Sequence, residues 1–203
     1  MRIGIIGSAG TGKTTLAKHL AQVLGVELVE EGVREWLSQR GFSSPWELNE
    51  PLQVSLQEWY LENKIRRERE CADFVSDRTV LDALVLSLLR GSLRREDSTF
   101  GRFTELVLKH ARTTYDLLIL RARGILRIED DGCRCVSDDI CNNEEGMLLW
   151  VSAMAGVPAV SIEAERISDA IKLSLSAVDL VRLNPSALVH LVGKNRCSDP
   201  WNY

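Results

Sequence analysis

The chain has 203 residues, 25 lysines and arginines against 29 aspartates and glutamates, and a formal net charge of −4. That length suits one domain able to bury its own core without a disulfide or metal staple, and the charge excludes the broad positive field that holds nucleic acid or an anionic membrane surface. Five cysteines, an odd number and 45% hydrophobic residues read as free thiols in an ordinary globular protein, and we expect a cytoplasmic chain with no membrane span or signal segment.

Arg2 to Ile6 (RIGII) reads as a short buried parallel strand. Thr14 to Leu24 carries Leu16, Leu20, Val23 and Leu24 at helical spacing, and Gly25 stands where a left-handed C-cap belongs. Val26 to Glu30 predicts a second strand and Val33 to Gln39 a helix that stops at Gly41. Phe42 to Pro51 reads as a loop, and a long polar helix follows from Leu52 to Cys71. Asp73 to Asp77 is a third strand, and Val80 to Leu89 is apolar almost all round, as a buried helix is. After a polar stretch from Arg94 to Gly101, Phe103 to Thr113 is helical, Asp116 to Leu120 a fourth strand, and Arg121 to Asp139 a charged, glycine-containing segment without a clear period. Asn142 to Ala155 is helical, Ala159 to Ile162 is a fifth strand and Arg166 to Val181 the next helix. The alternation predicts an α/β three-layer sandwich: a five-stranded, mostly parallel sheet with helices on both faces, a small lid over about 121–139 and a loose tail over about 195–203, all one domain. Ligands of such sheets bind beyond the C-terminal strand ends.

The first strand runs into Gly7-Ser8-Ala9-Gly10-Thr11-Gly12-Lys13-Thr14, which fits the pattern G-x-x-x-x-G-K-S/T between a strand and an amphipathic helix. Glycines let successive backbone N–H groups turn inward as an anion nest, and the helix points its positive end at the same place. Residues Gly7 to Thr15 are therefore the expected ATP site, with Lys13 on the β- and γ-phosphates and the Thr14 hydroxyl on Mg²⁺. Such loops serve kinases, GTPases, motors and switches alike. The Asn-Lys-x-Asp guanine motif is missing, and the third strand ends Val75-Ser76-Asp77-Arg78 rather than in Asp-Glu.

The second strand ends in Glu30 and runs into Glu31, where a carboxylate can orient or deprotonate an acceptor hydroxyl; carboxylates also favour helix starts for electrostatic reasons alone. Arg34 can hold an anionic acceptor. Asp77 can hold Mg²⁺ through water or cap the helix from Val80, and Arg78 can touch the acceptor. Asp82 stands in a nearly all-apolar helix, where it needs a partner such as a neighbouring arginine. Arg121, Arg123, Arg127 and Arg134 stud the segment after the fourth strand, where a mobile arginine can neutralise transition-state charge. Trp36, Trp46, Trp59 and Tyr60 are candidates to stack on an acceptor ring or to fill the core. His19, His110 and His190 show no partner in the sequence, and Cys133, Cys135 and Cys141 lack a fourth ligand for zinc.

Three segments together resemble the P-loop nucleoside kinase-like ATPases typified by the ribosylnicotinamide kinase domain, relatives of the deoxynucleoside and nucleoside-monophosphate kinases. They are GSAGTGKTTLAKHLA, Glu31-Gly32-Val33-Arg34-Glu35-Trp36-Leu37, and Asp130-Asp131-Gly132-Cys133-Arg134; the resemblance spans Met1 to Ala177. The family's aromatic before Asp-Asp-Gly is replaced here by Ile128, and Asp77-Arg78 looks more like the deoxynucleoside and thymidylate kinases. The resemblance implies a small-molecule kinase using ATP and Mg²⁺. It implies that Lys13, Glu31 and Arg134 are catalytic, that Glu31, Arg34, Arg78 and Asp131 bind the acceptor, and that Thr14 and Asp77 hold the metal. It implies a monomer or homodimer whose partners are a nucleotide and a small acceptor, with no nucleic acid or membrane. The alternative is a regulatory ATPase switch without a small acceptor.

Overall fold

A computed structural model describes residues 1–93, 99–122 and 138–184. Its five strands are β1 (Arg2–Ile6), β2 (Glu27–Val29), β3 (Phe74–Asp77), β4 (Leu117–Arg121) and β5 (Ala159–Ile162). They form one fully parallel sheet in the order β2-β3-β1-β4-β5. The α-helices among the described residues are α1 (Lys13–Leu24), α2 (Val33–Ser38), α3 (Glu50–Glu70), α4 (Val80–Leu89), α5 (Phe100–Thr114), α6 (Asp138–Ala155) and α7 (Ile167–Leu183).

Successive residues of β1 and β4 serve opposite faces, as the pleat demands. Ile3, Ile5, Leu117 and Ile119 pack with Leu16 and Leu20 of α1 and Val178 of α7. Ile6, Leu118 and Leu120 pack with Tyr60 and Leu61 of α3, Leu81 and Leu84 of α4, Val107 of α5 and Leu148 of α6. Both faces are covered, which is why these strands carry continuous apolar runs.

Several boundaries differ from the sequence reading. Pro51 sits in the first turn of α3, which starts at Glu50 under an Asn49 cap whose Oδ1 accepts from the Leu52 N–H at 3.1 Å; proline suits that turn because its missing N–H has no helical partner there. Within the expected loop before it, Pro45–Glu47 form one 3₁₀ turn capped by Ser44. α5 begins at Phe100 and α6 at Asp138, earlier than their apolar periods suggest. No helix among the described residues is long and apolar enough to cross a membrane.

Candidate active site

β1 delivers the chain into the glycine loop. Gly7, Gly10 and Gly12 take φ of 139°, 76° and 82°, values that only glycine adopts without strain. Gly12 is the N-cap of α1, so the helix opens directly beneath the loop with its positive end toward the cleft. Lys13 is buried, and its Nζ donates to the Ser8 carbonyl; Thr11 Oγ1 donates to the same carbonyl at 3.0 Å. Burial, with repulsion from Arg78 added, lowers the Lys13 pKa to about 8 against the pull of Glu144, Asp82 and Asp77.

The ends of β2 and β3 meet this loop. Arg78 follows Asp77 with φ of 61°, the one described non-glycine residue at positive φ. Its guanidinium gathers three carboxylates: Nε donates to Glu31 Oε1 at 2.9 Å, and Nη1 to Asp82 Oδ1 and Glu144 Oε1, each at 3.1 Å. Burial opposes the charge of Arg78, but Glu31, Glu144 and Asp82 outweigh it and raise its pKa well above the ordinary value. Asp82 is fully buried; desolvation raises its carboxyl to about 6 although Arg78, Lys13 and the Thr79 N–H favour its charged form. Asp82 also completes a capping box with Thr79, receiving the Thr79 N–H at 2.7 Å. The residue capping α4 is therefore Thr79, not Asp77, and the arginine partner expected for Asp82 is Arg78.

Lys13, Glu31, Arg78 and Glu144 line one cleft of about 360 Å³, in the size range of small-ligand sites, whereas Asp82 lies outside its lining. Ala9, Gly10, Gly12, Lys13, Thr14 and Thr15 form its phosphate-loop end; Glu31, Asp77 and Glu144 supply acids, and Arg34, Arg78, Arg90, Gln57 and Tyr60 further polar groups. Val33, Pro45, Trp46, Leu56, Leu86 and Leu89 make an apolar wall. Of the sequence-predicted residues, the loop from Ala9 to Thr15 apart from Thr11, together with Glu31, Arg34, Asp77 and Arg78, reach this cleft. Gly7, Ser8 and Thr11 lie buried behind it as the inner part of the loop. Asp131 and Arg134, with Arg123, Arg127 and the Asp130-Asp131-Gly132 motif, lie outside the described residues.

Arg121 is not a lid residue. It ends β4, is 1% exposed, and donates through Nη1 to the Ile162 carbonyl at 3.1 Å and through Nη2 to the Ala164 carbonyl. Of the four stacking candidates, Trp46 and Tyr60 line the cleft; Trp36 and Trp59 pack on one another, centroids 6.2 Å apart, beside Leu37, Leu48 and Leu56. His110 does have a partner: its Nε2 lies 2.8 Å from Glu68 Oε2 in the core. No group of three or more potential metal-ligating side chains occurs among the described residues. Sequence reading missed Glu144, Gln57 and Arg90. None of the three carried a signal of its own: Glu144 stands in the polar run Asn142-Asn143-Glu144-Glu145, beside an identical acid.

A family model described as an AAA domain matches residues 2–167. No curated protein matches the chain. Among solved structures, deoxyadenosine kinase from M. mycoides with bound dCTP aligns over 88% of this chain and 99% of its own, at 18% identity and a TM-score of 0.64. NadR protein in complex with NR aligns over 86% of this chain and 50% of its own, at 22% identity and 0.65. Thymidylate kinase from Candida albicans covers 89% and 92%, at 12% identity and 0.59. At these identities the likeness is one of fold: this chain has the five-stranded P-loop kinase fold.

Proposed function

We propose that this chain, which belongs to the AAA domain family, is an ATP-dependent phosphotransferase that moves the γ-phosphoryl of ATP to a hydroxyl or phosphate of a nucleoside, nucleotide or similar small acceptor. One observation carries the reading: the phosphate loop and the Glu31–Arg78 pair line the same cleft, and an apolar wall completes it. A switch has no need of a shaped acceptor end to its phosphate cleft. The kinase fold, shared with nucleoside and nucleotide kinases, supports the class of acceptor.

Lys13 and the inward N–H groups of the loop hold the donor phosphates, and Lys13 leaves the Ser8 carbonyl to do so. Glu31 orients the acceptor hydroxyl and takes its proton as the acceptor oxygen bonds to the γ-phosphorus and the bond from that phosphorus to the ADP oxygen breaks. Arg78 keeps Glu31 aimed through the bond from its Nε, and with Arg34 it binds the acceptor. Thr14 and Asp77 both face the cleft and offer hard oxygen donors, a set that fits Mg²⁺ completed by water and phosphate oxygens. Bound there, the ion supplies charge neutralisation for the phosphates. By the family resemblance, Asp131 meets the acceptor and Arg134 closes over the phosphates. We place the protein in the cytoplasm, as one domain, monomeric or homodimeric.

The test is a panel of nucleosides, deoxynucleosides and nucleoside monophosphates with ATP and Mg²⁺, followed by ³¹P NMR. A phosphorylated product is expected, and Glu31→Gln should lower its rate by about 10²–10⁴-fold with ATP affinity retained. If ATP binds and no acceptor is phosphorylated or speeds hydrolysis, the switch reading replaces this one.

A further inference from the structure

The β2–β3 ladder ends at the Val29–Ser76 pair, two residues short of the groups that matter, Glu31 and Arg78. At this point a lysine from another element enters. Lys64, in the middle of α3 and 1% exposed, donates through Nζ to the carbonyls of Val29 and Glu30, each at 3.2 Å, and of Asp77 at 2.8 Å. Three N–H groups meet three carbonyls, the full complement of an ammonium. The carbonyls belong to both strand ends, so the ammonium bridges them where the backbone ladder has stopped.

Lys64 has company on its face of α3. One turn earlier, Tyr60 Oη donates to the Thr79 carbonyl at 3.2 Å. One turn later, Glu68 Oε1 lies 2.7 Å from Ser76 Oγ, and the same hydroxyl lies 2.8 Å from the Arg78 carbonyl, with one proton to share between them. Residues 60, 64 and 68 thus grip positions 76, 77 and 79 on either side of Arg78, whose positive φ needs surroundings that hold it. Arg67 adds a second donor to the Glu30 carbonyl, at 3.2 Å. A buried ammonium is a poor way to fill space: an apolar side chain of similar volume packs as well and carries no desolvation cost.

We propose that Lys64 is a positioning residue of the phosphoryl-transfer site: its ammonium stands in for the missing rungs and sets the separation at which Glu31 meets Arg78 beside the phosphate loop. The inference rests on the kinase reading for its consequence and on the geometry alone for its first effect.

Two measurements separate those. In ¹⁵N NMR spectra, the Arg78 Nε–H signal, identified by its loss in Arg78→Lys, reports the bond to Glu31 without any acceptor. Lys64→Met should remove that signal or move it to the position of a solvent-exposed guanidinium, while the binding of an ATP analogue and the amide signals of α1 are retained. Lys64→Gln, which keeps an N–H donor one bond nearer the backbone, should retain part of it. An unchanged Arg78 signal in Lys64→Met overturns the proposal, and so does loss of the whole fold in both variants, which would assign Lys64 to stability alone. Where the acceptor panel yields a product, Lys64→Met should lower turnover by about 100-fold, as a displacement on the order of 1 Å does, with ATP affinity held. A panel that fails with the unaltered protein counts against the kinase reading and leaves the NMR result to decide Lys64.

Discussion

Arg78 and Glu144 are 66 residues apart in the chain, and Nη1 of one lies 3.1 Å from Oε1 of the other. The contact joins the residue after β3 to α6 in the wall of the cleft and completes a cluster in which one cation serves three acids. The arrangement is asymmetric: Glu31 is about a third exposed, whereas Asp82 and Glu144 are 0% and 4% exposed. Removing the arginine therefore strands two buried carboxylates and frees the exposed one.

Arg78→Met should destabilise the protein by about 3–5 kcal/mol, the range for leaving buried charge without its partner. Arg78→Lys should fall between, since an ammonium cannot fork toward three acids from the same place. Urea unfolding at pH 7 measures both, and equal stability of Arg78→Met and the unaltered protein would mean the cluster is not coupled as its geometry indicates.

Asp82 gives that cluster a signature in pH. Its carboxyl titrates at about 6 in the folded protein against 3.8 when unperturbed. Between those values the folded chain holds the proton that the unfolded chain has lost, so the contribution of Asp82 to stability falls as pH rises through this window. The full change is on the order of 3 kcal/mol. Asp82→Asn lacks this term, so its stability relative to the unaltered protein should improve as pH rises from 4 to 7; parallel pH curves would contradict the prediction.

Lys13 titrates at about 8 rather than 10.5, a downward shift where that of Asp82 is upward, so the sign of its pH dependence is opposite to that of Asp82. The unfolded chain keeps the proton longer, so without nucleotide the stability contribution of Lys13 rises with pH between those values. Triphosphate binding needs the ammonium, so affinity should weaken above pH 8 by up to about tenfold per unit. Calorimetric titration of an ATP analogue from pH 7 to 9.5 checks this, and Lys13→Met should bind weakly with a flat profile.

Gly7→Ala tests the loop from the other side. At φ of 139°, an added Cβ would lie 2.7 Å from the Arg121 carbonyl oxygen. That backbone is anchored, because the Arg121 side chain is bonded to the carbonyl of Ile162 at the end of β5 and to that of Ala164 just beyond it. Strain and overlap together should cost about 3 kcal/mol, a fall of roughly 6–12 °C in Tm for a chain of this size, and should abolish nucleotide binding. Retained ATP affinity in the variant would show that the loop tolerates a different path.

The fold class, the position of every strand to within a residue or two, and the phosphate loop were legible in the amino-acid sequence, because each depends on interactions within a few residues. β-branched runs favour strands, Gly25 caps α1 in the left-handed region at φ of 66°, and G-x-x-x-x-G-K-T shapes its own anion nest. Glu31, Arg34, Asp77 and Arg78 could be picked out as cleft residues because they stand at the end of β3 or in the segments that follow β2 and β3, on the side where a parallel sheet presents its ligands. What the chain order could not tell was which charged residues leave water. Lys64 and Glu68 belong to a helix whose charges look solvated at every turn, yet both are buried. Glu144 and Glu145 are adjacent and chemically alike, and only the packing of α6 on α4 turns Glu144 toward Arg78. The desolvation of a charge is repaid by partners 13 to 66 residues away, and those partners meet only when β2, β3 and β1 lie side by side in an order that local preference does not encode.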